Sequence, residues 1–144
     1  MNNYFITLTG SIYFLFMGML CQAQQMETLT IGASNFESTK GAAIAHLFRE
    51  HDDIPETPFL QATSTIVNGS ATIVFLNIPY GEYAVILFHD ENSNSTLDHK
   101  FGFPNEPMGF SNEWKLSLFS GMPTFNKLKF SFTEKGRIQA VKLK

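Results

Sequence analysis

"GEYAVILFHD", Gly81 to Asp90, is the stretch on which the architecture turns. In an extended strand, successive side chains point to opposite faces. Tyr83, Val85 and Leu87 then share one face, and Ala84, Ile86 and Phe88 share the other. Both faces are apolar, so both need cover, and the segment is expected to be a central strand.

The flanking sequence keeps the same period of two. "ETLTIGAS" (Glu27 to Ser34) sets Leu29, Ile31 and Ala33 against Thr28, Thr30 and Gly32. "SATIVFLNI" (Ser70 to Ile78) places Ala71, Ile73 and Phe75 on one face. "GRIQAVKLK" (136–144) alternates Ile138, Ala140 and Lys142 against Arg137, Gln139, Val141 and Leu143. "FNKLKFSF" (Phe125 to Phe132) alternates imperfectly, and a β-bulge would bring Phe125, Leu128 and Phe130 together. "GAAIAHLFRE" (Gly41 to Glu50) has Ala-rich helix propensity, yet it alternates through Ile44, His46 and Phe48. Strand neighbours make strand the expectation there. "FLQATSTIV" (Phe59 to Val67) is rich in β-branched residues. "NGS" (Asn68 to Ser70) signals a hairpin, and "PYGEY" (Pro79 to Tyr83) signals a turn. About seven strands with no strong helix predict an all-β fold, a single antiparallel β-sandwich.

At 144 residues the chain suits one domain, and its 15 Phe supply large rings for a small core. The net charge of −3 and the scattered Lys and Arg give no basic field for nucleic acid or an anionic membrane surface. "YFITLTGSIYFLFMGML" (Tyr4 to Leu20) followed by "CQAQQ" reads as a signal peptide, with Cys21-Gln22-Ala23 as the cleavage site. The expected organisation is a leader over 1–23 and a β-sandwich over 24–144. An uncleaved membrane anchor is the alternative. Cleavage would remove Cys21, the one cysteine, leaving no disulfide, no thiol nucleophile and no Cys-bound zinc. It would also leave no membrane span.

The central strand empties into "HDENSNSTLD" (His89 to Asp98). Asp90, Asn92, Asn94, Thr96 and Asp98 stand at relative positions 1, 3, 5, 7 and 9, the oxygen spacing of an EF-hand-type Ca2+ loop. The sixth position is Ser95 instead of Gly, and the twelfth is Phe101 instead of a bidentate Glu. Glu106 or Glu113 would have to complete such a set. The same residues also suit a solvated turn held by side chain to backbone hydrogen bonds. His89 and His99 bracket the loop and, with Asp90 and Asp98, offer a weaker transition-metal alternative. His46 and His51 carry less signal.

"FGFPNEPMGFSNEW" (Phe101 to Trp114) interleaves rings with Gly, Pro, Asn and Glu. It is either a recognition surface or a cap folded back on the sandwich. Candidate ligand-binding residues are His89, Phe103, Glu106, Phe110 and Trp114. Catalysis is not expected. Ser111 in "GFSNE" stands in no nucleophile-elbow motif, and a carboxylate pair such as Asp98 and Glu106 is common in small domains.

The run from Ile78 to Asn112 resembles the DUF2141 family of exported bacterial proteins. The resemblance rests on Pro79, Gly81, Tyr83, Ala84, His89, Asp90, Asn92, Asn94, Leu97, Asp98, Gly102, Pro104, Glu106, Gly109, Phe110, Ser111 and Asn112. Ser95 departs from the Gly usual in the family. The resemblance implies a leader, a secreted, periplasmic or envelope location, and an immunoglobulin-like or prealbumin-like sandwich. It implies no reaction. The resulting expectation is an exported, non-catalytic module with a possible Ca2+ loop. An envelope glycan- or protein-binding module is the alternative, and a hydrolase is a distant third.

Overall fold

A computed structural model describes residues 25–117, 119–135 and 138–144. The expected leader over 1–23 lies outside the described residues, as does Cys21. Among the described residues, no helix is long and apolar enough to cross a membrane.

Among the described residues, ten short strands form two facing sheets and one small hairpin. The first sheet runs β10(Ile138–Lys142)–β1(Met26–Ser34)–β4(Ser70–Pro79). The second runs β3(Leu60–Ser64)–β2(Ala42–Phe48)–β5(Gly81–Asp90)–β8(Met108–Phe110), with β9(Phe130–Phe132) also on β5. Seven of these strands fall within the segments expected to be extended, although at 125–132 only Phe130–Phe132 is strand. The other three, β6(His99–Lys100), β7(Phe103–Pro104) and β8, arise between Asp90 and Pro123, a stretch rich in Gly, Pro and Asn. Pairing is antiparallel except between β1 and β10, which run parallel.

β5 is central, as its two apolar faces predict. It pairs with β2 on one side and with β8 and β9 on the other. Tyr83, Val85 and Leu87 face the inter-sheet core, with Leu29, Ile31, Ile73 and Phe75 from the first sheet. Ala84, Ile86 and Phe88 face a second cluster formed with Ile44, Phe48, Met108, Phe110, Phe125 and Leu128. Full burial of one such Phe or Leu contributes about 1.5–3 kcal/mol, so this outer layer is a substantial part of the fold.

One local expectation fails. "FNKL" is a single helical turn, α1(Phe125–Leu128), rather than a bulged strand. Phe125 and Leu128, three residues apart, meet on one helical face and both are buried in the outer cluster. The strand proper begins only at Phe130. By contrast, Ala42–Phe48 is the expected strand despite its alanines. It is held between β3 and β5, and tertiary pairing overrides helix propensity.

"NGS" forms the tight turn after Val67, which bridges to Ser70. The Pro79–Gly81 turn does something different: it carries the chain from one sheet to the other. The Tyr83 hydroxyl donates to the Pro79 carbonyl at 2.8 Å across that corner. A tyrosine tie of this kind is a recurring corner device of β-sandwiches.

Candidate functional site

β5 ends at the polar loop, and Asp90 anchors it. The Asp90 carboxylate is buried and accepts the backbone N–H groups of Asn94 (3.1 Å) and Ser95 (2.8 Å). Asn92 Oδ1 also accepts Asn94 N–H at 3.0 Å. Asn94 Oδ1 accepts both the N–H and the hydroxyl of Thr96, each at 2.8 Å. These contacts fold the chain tightly enough to put Ser93 and Ser95 at positive φ, 60° and 64°. Ser95 therefore occupies the left-handed conformation that a glycine adopts without strain.

Asp98 closes the ring. Asn92 and Asn94 donate their side-chain amides to its two carboxylate oxygens at 2.6 and 2.9 Å. Glu106 supports the loop from the following segment, accepting Glu91 N–H and Asp98 N–H at 3.2 Å each. Burial raises the Glu106 pKa. The two backbone hydrogen bonds oppose the rise, and the charges of Asp90 and Asp98 add to it. The five oxygen-bearing residues of the 1-3-5-7-9 pattern thus lie in one network, with Glu106 joined to it. Glu113 makes no described hydrogen bond to the loop and lies beside the groove below. Among the described residues, no three His, Cys, Asp or Glu side chains form a ready metal-ligand group. An ion at this loop would need amide and backbone oxygens beside the Asp90 and Asp98 carboxylates.

The bracketing histidines have different surroundings. His89 is fully buried, and its ring lies edge-on to Phe36 at 5.3 Å. Its Nε2 lies 2.7 Å from the Lys40 carbonyl, which can only accept, so Nε2 carries the proton. Among the described residues Nδ1 is buried with no hydrogen-bond partner, 3.7 Å from Glu91 Oε1. His99 is exposed on β6. His46, half-buried on β2 with its ring edge-on to Phe48 and Phe88, pairs with Gln61 Oε1 at 2.9 Å, and burial lowers its pKa.

The aromatic segment divides. Phe101 and Phe103 project from the β6–β7 hairpin, 91% and 61% exposed. Met108 and Phe110 are buried on β8, and Trp114 packs edge-to-face against Phe110 with ring centroids 4.8 Å apart. Glu106, Phe110 and Trp114, three of the five ligand-binding candidates, line one open groove of about 560 Å³. Met108, Glu113, Lys115, Leu116, Lys142 and Lys144 line it too. His89 is buried elsewhere, and Phe103 lies outside the groove.

The residue that spacing did not single out is Ser111. It is fully buried, and its hydroxyl accepts Val85 N–H at 2.8 Å and lies 2.6 Å from the Leu128 carbonyl, to which it donates. β9 pairs with β5 up to Tyr83, and β8 pairs from Ile86. The hydroxyl fills the gap between them. Asn112 next to it donates to the Lys127 carbonyl at 3.1 Å.

The two-layered sheet and its self-bonded Asp/Asn loop define an all-β sandwich with an elaborated strand end. The chain belongs to the DUF2141 family, described as an uncharacterised protein conserved in bacteria, whose model matches residues 31–139. No curated protein and no solved structure matches. Many of the motif residues have structural work here: Tyr83 ties the corner, His89 and Asp90 fasten the strand end, and Ser111 and Asn112 join β5 to α1.

Proposed function

We propose that this chain is an exported, non-catalytic β-sandwich module that binds Ca2+ weakly through the 90–98 loop. The observation that carries the reading is the convergence of Asp90, Asn92, Asn94, Thr96 and Asp98 in one network, with Glu106 beside them. Several of these oxygens already accept loop N–H groups, and Asp98 already holds two amide donors. An ion must displace or share those bonds, so affinity falls in the millimolar class of extracellular modules. The apolar leader supports export. The absence of catalysis is supported by Ser111 and Glu106, whose oxygens are committed to backbone partners.

Calorimetric titration tests the ion. The expected result is binding with a Kd of about 1 mM. About 10 mM Ca2+ should then add roughly 1.4 kcal/mol to stability. Asp98→Asn is expected to abolish both responses. No heat, with an unchanged melting temperature at that concentration, leaves only a self-bonded turn.

The raised Glu106 pKa sets a pH dependence. The folded state keeps the Glu106 proton in a window where the unfolded chain has lost it. Stability from this group therefore falls as pH rises from the ordinary glutamate value through the raised one. Ca2+ offsets the repulsion among the ionised carboxylates. Its stabilising effect is expected to be larger near pH 7 than near pH 5, about where carboxylates start to protonate. Melting curves with and without Ca2+ at both pH values measure the difference, and Glu106→Gln is expected to narrow it.

The groove favours a second reading, a recognition module for an envelope glycan or partner protein. It joins the aromatic segment to β10, and it is wide enough for a small ligand.

A further inference from the structure

We infer that the groove between the aromatic segment and β10 takes an acidic saccharide, a sugar chain bearing carboxylate groups. The inference rests on the groove reading above and names its ligand class. Lys142 belongs to β10, Lys144 follows it, and Lys115 comes from the segment after Trp114; all three line the groove and are exposed. Among the described residues, none of the three forms an ion pair with a carboxylate. The Lys144 pKa is lowered, first by the close Lys115 side chain, then by burial and by the charges of Lys115 and Lys142. Glu106 and Glu113 also line the groove, but neither pairs with these lysines, which outnumber them. The clustered lysines repel one another, and an anion bound among them relieves that repulsion.

The remaining lining narrows the anion. Trp114 and Leu116, above the largely buried Met108 and Phe110, provide apolar surface of the kind that the C–H faces of sugar rings cover. Glu113 at the same groove is exposed, and among the described residues no donor engages its carboxylate oxygens, which can accept from hydroxyls. It is held at φ 55°, beside Asn112 at φ 57°, in the left-handed region that a glutamate rarely adopts. Strain of this kind concentrates at functional sites. Cations, apolar surface and a hydroxyl acceptor in one groove match a ligand with carboxylates, C–H faces and hydroxyls.

Trp114 is the one tryptophan and lines the groove, so its emission reports occupancy directly. The full chain is titrated with trigalacturonate, maltotriose, hexaglutamate and inorganic phosphate, followed by emission and by calorimetry. Trigalacturonate is expected to bind saturably and maltotriose to leave both signals flat. Lys115→Glu is expected to weaken trigalacturonate at least about tenfold with the melting temperature unchanged, and about 0.5 M salt is expected to weaken it similarly. Maltotriose binding as tightly, or a Lys115→Glu variant that binds normally, overturns the anionic assignment and leaves the groove reading standing. Hexaglutamate or phosphate binding as tightly overturns the saccharide assignment in the same way. Silence with all four probes in both measurements overturns this inference and the glycan form of the groove reading together.

Discussion

Gly41→Ala is expected to lower unfolding stability by about 3–4 kcal/mol, the sum of a left-handed backbone penalty and an overpacking penalty. Gly41 has φ 77°, and a Cβ there would lie 1.9 Å from the Asp90 carbonyl oxygen and 2.8 Å from Glu91 Cα. Both obstacles are backbone, so no side-chain rotation relieves them. Relief requires the start of β2 to move away from the end of β5, which also shifts the anchor of the polar loop. Gly102→Ala is the matched control. Gly102 has φ 81° with nothing within 4 Å of the added Cβ, so only the conformational penalty of about 1–2 kcal/mol applies. Urea unfolding of the two variants separates the steric part from the conformational part. Equal losses would show that the β2–β5 approach is not tight.

Ser111→Ala is expected to lose about 2–4 kcal/mol, because two buried backbone groups lose their partner at once. Val85 N–H points to the edge of β5 where neither β8 nor β9 reaches, and Leu128 C=O ends the helical turn packed above it. Alanine satisfies neither, and the site is too enclosed for water to replace the hydroxyl without rearrangement. Ser111→Thr keeps the hydroxyl and adds only a methyl group. Recovery of part of the loss by Thr assigns the effect to hydrogen bonding. A Thr variant no better than Ala assigns it to packing.

The sandwich was readable because its core signal is local. Alternation along Leu29–Ile31–Ala33 and Ile73–Phe75 places each residue on a face without knowledge of the partner strand, and β5 announces its second layer through Ala84, Ile86 and Phe88. The helical turn at Phe125 was hidden because four residues are too few for a 3.6-residue period to outweigh the alternation of the strand that follows. The polar loop was legible as a set of oxygens but not as a network. The same spacing serves an ion or the loop's own N–H groups, and only the fold shows where each oxygen is engaged. The groove was legible in part: Glu106, Phe110 and Trp114 come from one segment, whereas Lys142 and Lys144 reach it only because β10 lies alongside β8. Nothing in the local pattern around Ser111 marks a hydroxyl as the filler of a missing strand.

The run of β10 between the two sheets has one more consequence. Leu143 N–H bonds to Ser34 in the first sheet at 3.0 Å, and Lys144 N–H bonds to Met108 in the second at 2.9 Å. Adjacent amides are therefore fastened to opposite layers. Neither layer can peel away while the other stays intact without breaking one of this pair. Along that side, hydrogen exchange at the two positions reports one cooperative opening rather than the fraying of a single strand.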